Sequence, residues 1–247
     1  LLIDNAVATL SHGGRVVIVG AGASGRNAVI AANEFSPDEK HPVMGLIAGG
    51  ALAMLHEMSG AGQDYDRGVL DLQAIGFTQK DMLVALTVSG KTPWLWGALR
   101  HAWSLGAIRT VITRNLHSEA TDLADIVIAP QTGAEVVAGY GEPKAMAAQK
   151  MVLSMLTSGL AIRSGRVYSN MRVDIRDTDT RMAERQIAIV MEAGGCSRAV
   201  AKAALESCDH QCKTAVLMVL TGLDAWKAHE LLAQNNGFVR VALQEAP

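Results

Sequence analysis

Cysteine is scarce in this chain of 247 residues: only Cys196, Cys208 and Cys212 occur, all near the C-terminal end. An odd, clustered set builds no disulfide framework and fits a reducing compartment, so a cytoplasmic setting is expected. Cys208-Asp-His-Gln-Cys212 looks like half a metal site. Three thiols and one nearby imidazole, His210, fit helical or loop cysteines better, so no metal and no cofactor is expected. An excess of either charge is also missing. The net charge of −2 offers no basic face for nucleic acid or for a membrane surface. The longest apolar runs are broken by glycine or charge, so no transmembrane helix is expected, and no secretory signal is visible. The chain opens on Leu1 rather than Met, so a preceding segment is expected. What is present is an ordinary globular composition, 49% hydrophobic and 19% charged, long enough for a full core and a small accessory domain.

Two segments carry the chemistry. The first is Val16-Val17-Ile18-Val19-Gly20-Ala21-Gly22-Ala23-Ser24-Gly25-Arg26. The second is Met82-Leu83-Val84-Ala85-Leu86-Thr87-Val88-Ser89-Gly90-Lys91-Thr92-Pro93. Each is an apolar run that breaks into Ser-Gly and a basic residue, then enters a helical pattern. Small residues admit an anion close to the backbone, and a helix start offers free N–H groups and the positive end of its dipole. Hydroxyls add donors without bulk. A single such loop reads as a tight turn. Two, each between strand and helix, point to an anionic sugar or nucleotide. Ser24, Gly25, Arg26, Ser89, Gly90, Lys91, Thr92 and Lys144 are the candidate ligand-binding residues.

Gly20, Gly22 and Gly25 also fit the dinucleotide fingerprint G-x-G-x-x-G. That reading requires an acid closing a second strand about twenty residues on. Glu34 and Asp38 come too early, and the next strand ends in Gly49-Gly50 with no acid. Nicotinamide binding therefore ranks below phosphosugar binding.

Short apolar strands alternate with helical patterns up to Arg163. Strands are expected over 15–19, 43–47, 81–87, 110–113 and 126–129. Helices are expected over 1–10, 24–34, 51–58, 68–75, 93–105, partly over 114–123, and over 144–163. Such alternation predicts a parallel sheet covered on both faces, with ligands at the carboxyl ends of the strands. Trp94, Trp96 and Trp103 follow the second loop on one helix, where core or interface packing suits their spacing better than sugar stacking. After Val173 the pattern becomes all-helical, with helices over 177–193, 197–207, 211–221 and 224–235. Its expected role is packing or dimerisation. Two domains follow, 1–173 and 174–247.

These residues resemble a known family. The Ser-Gly-Arg loop, Gly45-Leu46-Ile47-Ala48-Gly49-Gly50, Ser89-Gly90-Lys91-Thr92-Pro93 and Ala148-Gln149-Lys150 occur in this order in the N-acetylmuramic acid 6-phosphate etherases. Val190-Met191-Glu192-Ala193 and Thr221-Gly222-Leu223-Asp224-Ala225 match as well. The family has a sugar isomerase (SIS) domain, and the regulatory protein of glucokinase is a relative. The resemblance implies an α/β fold: a doubly wound, flavodoxin-like parallel sheet followed by an all-helical subdomain.

It also implies a lyase chemistry. A base removes the C2 proton of the open-chain sugar 6-phosphate, D-lactate leaves from C3, and water adds. Two family glutamates are associated with the proton transfers. The first corresponds to Glu34, whose helix begins at the first loop, so its carboxylate is expected to reach a sugar held there. The second lies in a Glu-Gly-Ala-Glu-Asp stretch, where this chain has Ser59-Gly60-Ala61-Gly62-Gln63, leaving Gly62 at its place. Glu57 and Asp64 are the nearest possible substitutes. Tyr140-Gly141-Glu142-Pro143 stands where the family has Ser-Thr-Arg and an apolar residue, and the segment between Glu34 and Ile47 is shorter. Three readings stay open: an etherase-like lyase, a non-catalytic phosphosugar sensor, and an aldose–ketose isomerase using Glu34 or Glu142. A homodimer is the expected assembly, with no nucleic-acid or membrane partner.

Overall fold

The computed structural model describes residues 1–35 and 42–247. They form two compact units, Leu1–Ser158 and Gly159–Pro247.

The first unit is a five-stranded parallel sheet. In chain order it runs α1 (Leu2–Ser11), β1 (Val16–Gly20), α2 (Gly22–Phe35), β2 (Val43–Ile47), α3 (Tyr65–Ala74), β3 (Met82–Leu86), α4 (Pro93–Ser104), β4 (Ile108–Ile112), α5 (Glu119–Asp122) and β5 (Ile126–Ile128). The strand order is β2-β1-β3-β4-β5. Every residue of β1 and β3 is buried, as the unbroken Val/Ile/Leu/Met runs require of strands covered on both faces. β1 pairs with β2 on one side and β3 on the other, in parallel register from Val16–Met82 to Gly20–Leu86. The order reverses between β1 and β3, which makes that point the crevice of a doubly wound sheet. The flavodoxin-like order matches the expectation.

The amino edge of the β1–β3 pair is clamped by charge. Asp81 accepts from Arg15 N (2.8 Å), Nε (3.1 Å) and Nη2 (2.8 Å), and from Thr78 N (2.9 Å). Burial pushes the Asp81 carboxyl up, but the Arg15 guanidinium and the two backbone donors outweigh it and hold the group below its ordinary value.

Some boundaries moved. The helix expected over 51–58 is a 3₁₀ turn, Ala51–Met54; Gly50 at its start supplies no side-chain cap. Helix is confined to Glu119–Asp122 within 114–123, started by the Ser118–Thr121 capping box. Ser36-Pro37, expected to stop α2, lies outside the described residues.

α6 (Pro143–Arg163) is long and apolar enough, by length and composition, to cross a membrane, which the interrupted apolar runs did not lead us to expect. It buries Ala145, Gln149, Leu153, Leu156 and Leu160, while Met151, Met155 and Ile162 are exposed.

The second unit holds the end of α6, the hairpin β6 (Val167–Tyr168) and β7 (Met171–Arg172), then α7 (Thr180–Gly194), α8 (Arg198–Ser207), α9 (Cys212–Thr221), α10 (Ala225–Gln234) and α11 (Val239–Glu245). Asp179, Ser197 and Asp224 cap α7, α8 and α10 by accepting from the N–H three residues on. The helices close over Val190, Ala201, Leu205, Val216, Leu217 and Val239. The hairpin and α11 were not expected; two-residue strands leave no alternation to read. Cys208 and Cys212 are buried, and burial pushes the Cys212 thiol up to about 12. Among the described residues no group of three or more His, Cys, Asp or Glu is placed to hold a metal.

Candidate functional site

The β1 loop is shaped by backbone contact. Gly25 N donates to Ala21 O at 3.2 Å as α2 begins. A Cβ on Gly25 would lie 2.6 Å from Gly20 O and 2.5 Å from Ile47 Cγ1, so only glycine lets α2 start this close to the sheet. Gly45 repeats the contact mid-strand, where a Cβ would meet Val29 Cα at 2.6 Å. Ser24 and Gly25 are buried.

The β3 loop leaves the same edge of the neighbouring strand. Gly90, at φ +73°, donates to Thr87 Oγ1 at 3.1 Å, and Lys91 N donates to Ser89 Oγ at 3.1 Å. Thr92 is the cap residue of α4 but makes no side-chain cap bond; its Oγ1 lies 3.4 Å from Thr87 Oγ1. Pro93 follows at the first helical position. Ser89 and Lys91 are exposed.

Residues outside the two motifs hold the second loop. Asn115 Nδ2 donates to Ser89 O (2.9 Å), Trp96 Nε1 to Gly90 O (2.9 Å) and Thr113 Oγ1 to Val88 O (3.1 Å). The polar break after β4, Thr113-Arg114-Asn115, was the available signal for two of them. Trp96 thus acts on the loop, Trp94 is buried with Nε1 on Asp71, and Trp103 is 63% exposed.

Gly62 stands between the two loops. A Cβ built on it would lie 3.3 Å from Ala21 Cβ and 3.6 Å from Thr92 Cγ2. Nearby, Asp64 is occupied as the cap of α3, accepting from Arg67 N at 2.9 Å, and Glu57 is exposed.

Glu34 lies elsewhere. It is nine residues beyond Gly25 on the continuous helix α2, roughly 14 Å along the axis at about 1.5 Å per residue. Gly25 sits level with Ile47, and Val29 with Gly45, so Glu34 falls near the amino edge of the sheet. Its Oε2 accepts from Lys150 Nζ at 2.5 Å. Within one chain its carboxylate does not reach the loop crevice.

Two basic candidates are engaged with carbonyls. Arg26 Nε donates to Ala53 O (3.2 Å), which ties the 3₁₀ turn to α2. Lys144 Nζ donates to Ala134 O (2.7 Å). Beside it Glu135 occupies the start of α6, accepting from the N–H groups of Lys144 and Ala145. Glu142 lies 3.7 Å from Arg114 Nη2.

The crevice therefore gathers Ser24, Gly25, Ser89, Gly90, Lys91, Thr92 and Gly62 at the switch point, with two helix starts behind them. Small hydroxyls, backbone N–H groups and the ammonium of Lys91, which has no ion pair among the described residues, are a donor set for a phosphate.

Residues 2–103 match the N-terminal SIS domain of glucokinase regulatory protein. The N-acetylmuramic acid 6-phosphate etherase of Klebsiella aerogenes is 44% identical over 98% of this chain and 82% of its own length. The N-acetylmuramic acid 6-phosphate etherase 2 of Vibrio parahaemolyticus is 46% identical over 98% of this chain and 81% of its own. Among solved structures, a phosphoheptose isomerase from Francisella tularensis aligns with a TM-score of 0.48 at 18% identity, covering 64% of this chain and 82% of that one. The identity and coverage of the curated relatives settle the lineage: this chain belongs to the N-acetylmuramic acid 6-phosphate etherase family.

Proposed function

We propose that the chain binds a sugar 6-phosphate at the β1–β3 crevice and cleaves the lactyl ether of N-acetylmuramic acid 6-phosphate. The observation that carries the reading is the pair of small-residue loops leaving adjacent strands at Gly20 and Leu86, each followed by a helix start. The phosphate lies on Ser89, Gly90, Lys91 and Thr92, with Ser24 and Gly25 opposite. For Arg26 and Lys144, direct contact requires release of Ala53 O and Ala134 O. The chemistry follows the family: C2–H is lost to a base, the C3–O bond breaks with the electron pair leaving on lactate, and water adds to the unsaturated sugar.

Glu34 is the proposed proton-transfer group. Its distance from its own crevice supports a role in the crevice of a second copy, with a homodimer as the working unit. Exposed Met151 and Met155 on α6, and Trp103 on α4, are apolar surface for such contact. A cytoplasmic setting completes the proposal.

Gly62 favours a second reading. It stands where the resemblance places the second glutamate, between the loops, and carries no group able to move a proton. A chain with this gap binds the phosphosugar without turning it over.

Lactate release from N-acetylmuramic acid 6-phosphate, measured beside calorimetric binding, separates the two. Turnover supports the lyase, and binding without turnover supports the sensor. For the lyase, inactive Glu34→Gln and Ser89→Ala/Thr92→Val chains regain activity when mixed. No recovery on mixing removes Glu34 from a neighbour's site.

A further inference from the structure

β4 ends in a polar loop of its own, and Arg114 in that loop is fixed at its backbone but not at its head. Arg114 N donates to Val88 O at 3.3 Å. On either side, Thr113 Oγ1 donates to the same oxygen at 3.1 Å and Asn115 Nδ2 to Ser89 O at 2.9 Å. The backbone of Arg114 is therefore pinned against the β3 loop. Its side chain is 35% exposed, and among the described residues its guanidinium makes no hydrogen bond. Its ion-pair partner is Glu142, whose Oε1 lies 3.7 Å from Nη2, beyond hydrogen-bond length. Two other arginines at the sheet differ: Arg15 and Arg109 donate to carboxylates at 2.8 and 2.5 Å.

Glu142 shows where that head points. It immediately precedes α6, and four residues on Met146 O accepts from Asn27 Nδ2 at 3.2 Å. Asn27 lies near the start of α2, two residues past Gly25. The start of α6 thus reaches from the β1 loop towards the β4 loop, and the Arg114 guanidinium meets it at the rim of the crevice. Both partners are partly exposed, so the pair is loose and screened by water. A ligand carboxylate can take the place of Glu142, because two N–H donors of a guanidinium match two carboxylate oxygens side by side.

We propose that Arg114 is a further substrate-binding residue of the crevice, taking the lactyl carboxylate while the β3 loop takes the phosphate. The inference rests on the reading above that N-acetylmuramic acid 6-phosphate is the ligand. That sugar carries two anions, and Lys91 in the β3 loop and Arg114 in the β4 loop supply a cation for each. Glu142 holds the place of the ligand carboxylate in the free chain. Arg114 then sets the preference for a sugar bearing the lactyl group over the same sugar without it.

The test compares N-acetylmuramic acid 6-phosphate with N-acetylglucosamine 6-phosphate, the same sugar with a hydroxyl at C3. Dissociation constants come from calorimetry; if the first sugar is cleaved, its KM and the inhibition constant of the second replace them. Arg114→Met should weaken the lactyl sugar about tenfold or more and the other less than about twofold, with an unchanged thermal midpoint. Arg114→Lys keeps the charge but loses the fork, and should fall between the parent and Arg114→Met. Glu142→Gln should tighten the lactyl sugar alone. Equal effects of Arg114→Met on both sugars, or no effect on either, overturn the proposal and leave the phosphate seat standing. Failure of both sugars to bind the parent removes the crevice reading itself, and this proposal with it.

Discussion

Gly62 lies beside Thr92, close enough that a Cβ on the glycine would come 3.6 Å from Thr92 Cγ2. The glycine is not demanded by its backbone, for it is absent from the residues at positive φ. A side chain there needs only a few tenths of an ångström of give from Ala21, whose Cβ would be 3.3 Å away. Gly62→Glu should therefore fold and place a carboxylate between the loops. Supplying a missing proton-transfer group is worth about 10²–10⁴-fold in rate. Lactate release should rise by about 10²-fold or more; an unchanged rate in a folded variant would show that position 62 does not face the reacting carbons.

Gly25→Ala should damage the crevice through the fold. The new Cβ would meet Gly20 O at 2.6 Å, and a backbone oxygen in β1 cannot swing aside. Overpacking of this kind costs about 1–3 kcal/mol. In a domain of this size each kcal/mol is about 2–4 °C in Tm. A thermal scan should show a drop of several degrees, with weaker phosphosugar binding beside it.

Asp81 gives the fold an acid-sensitive clamp. Its folded pKa is depressed, so its stabilising effect is complete above the unfolded value, about 3.9. It is lost as pH falls through the still lower folded value. Asp81→Asn should lower stability at neutral pH and flatten the stability-versus-pH curve below about pH 4. Chemical denaturation at several pH values checks this, and parallel curves for parent and variant would exclude Asp81 from the linkage.

The sheet and both loops were legible because their signals are local. Unbroken apolar runs such as Met82–Leu86 mark buried parallel strands, and Ser-Gly breaks at their ends mark the carboxyl edge where the two loops meet. Sequence proximity puts Glu34 beside the first loop, whereas nine helical residues carry it along the sheet, away from its own crevice. The loop-holding roles of Asn115 and Trp96 depend on the β3–β4 register and on α4 folding back over Gly90, and no single segment contains either. Gly62 needed both kinds of reading: resemblance marked the position, and the closeness of Ala21 and Thr92 to where its Cβ would lie puts a side chain there between the loops.

The β3 loop is the proposed seat of the phosphate. Calorimetric titration of a sugar 6-phosphate into the parent and into Ser89→Ala/Thr92→Val tests it most directly. Each lost hydrogen bond to a charged group is worth about 1.5–3 kcal/mol. Affinity should therefore fall at least tenfold while the thermal midpoint of the free chain stays unchanged. Equal affinity in parent and variant would contradict the assignment of the crevice.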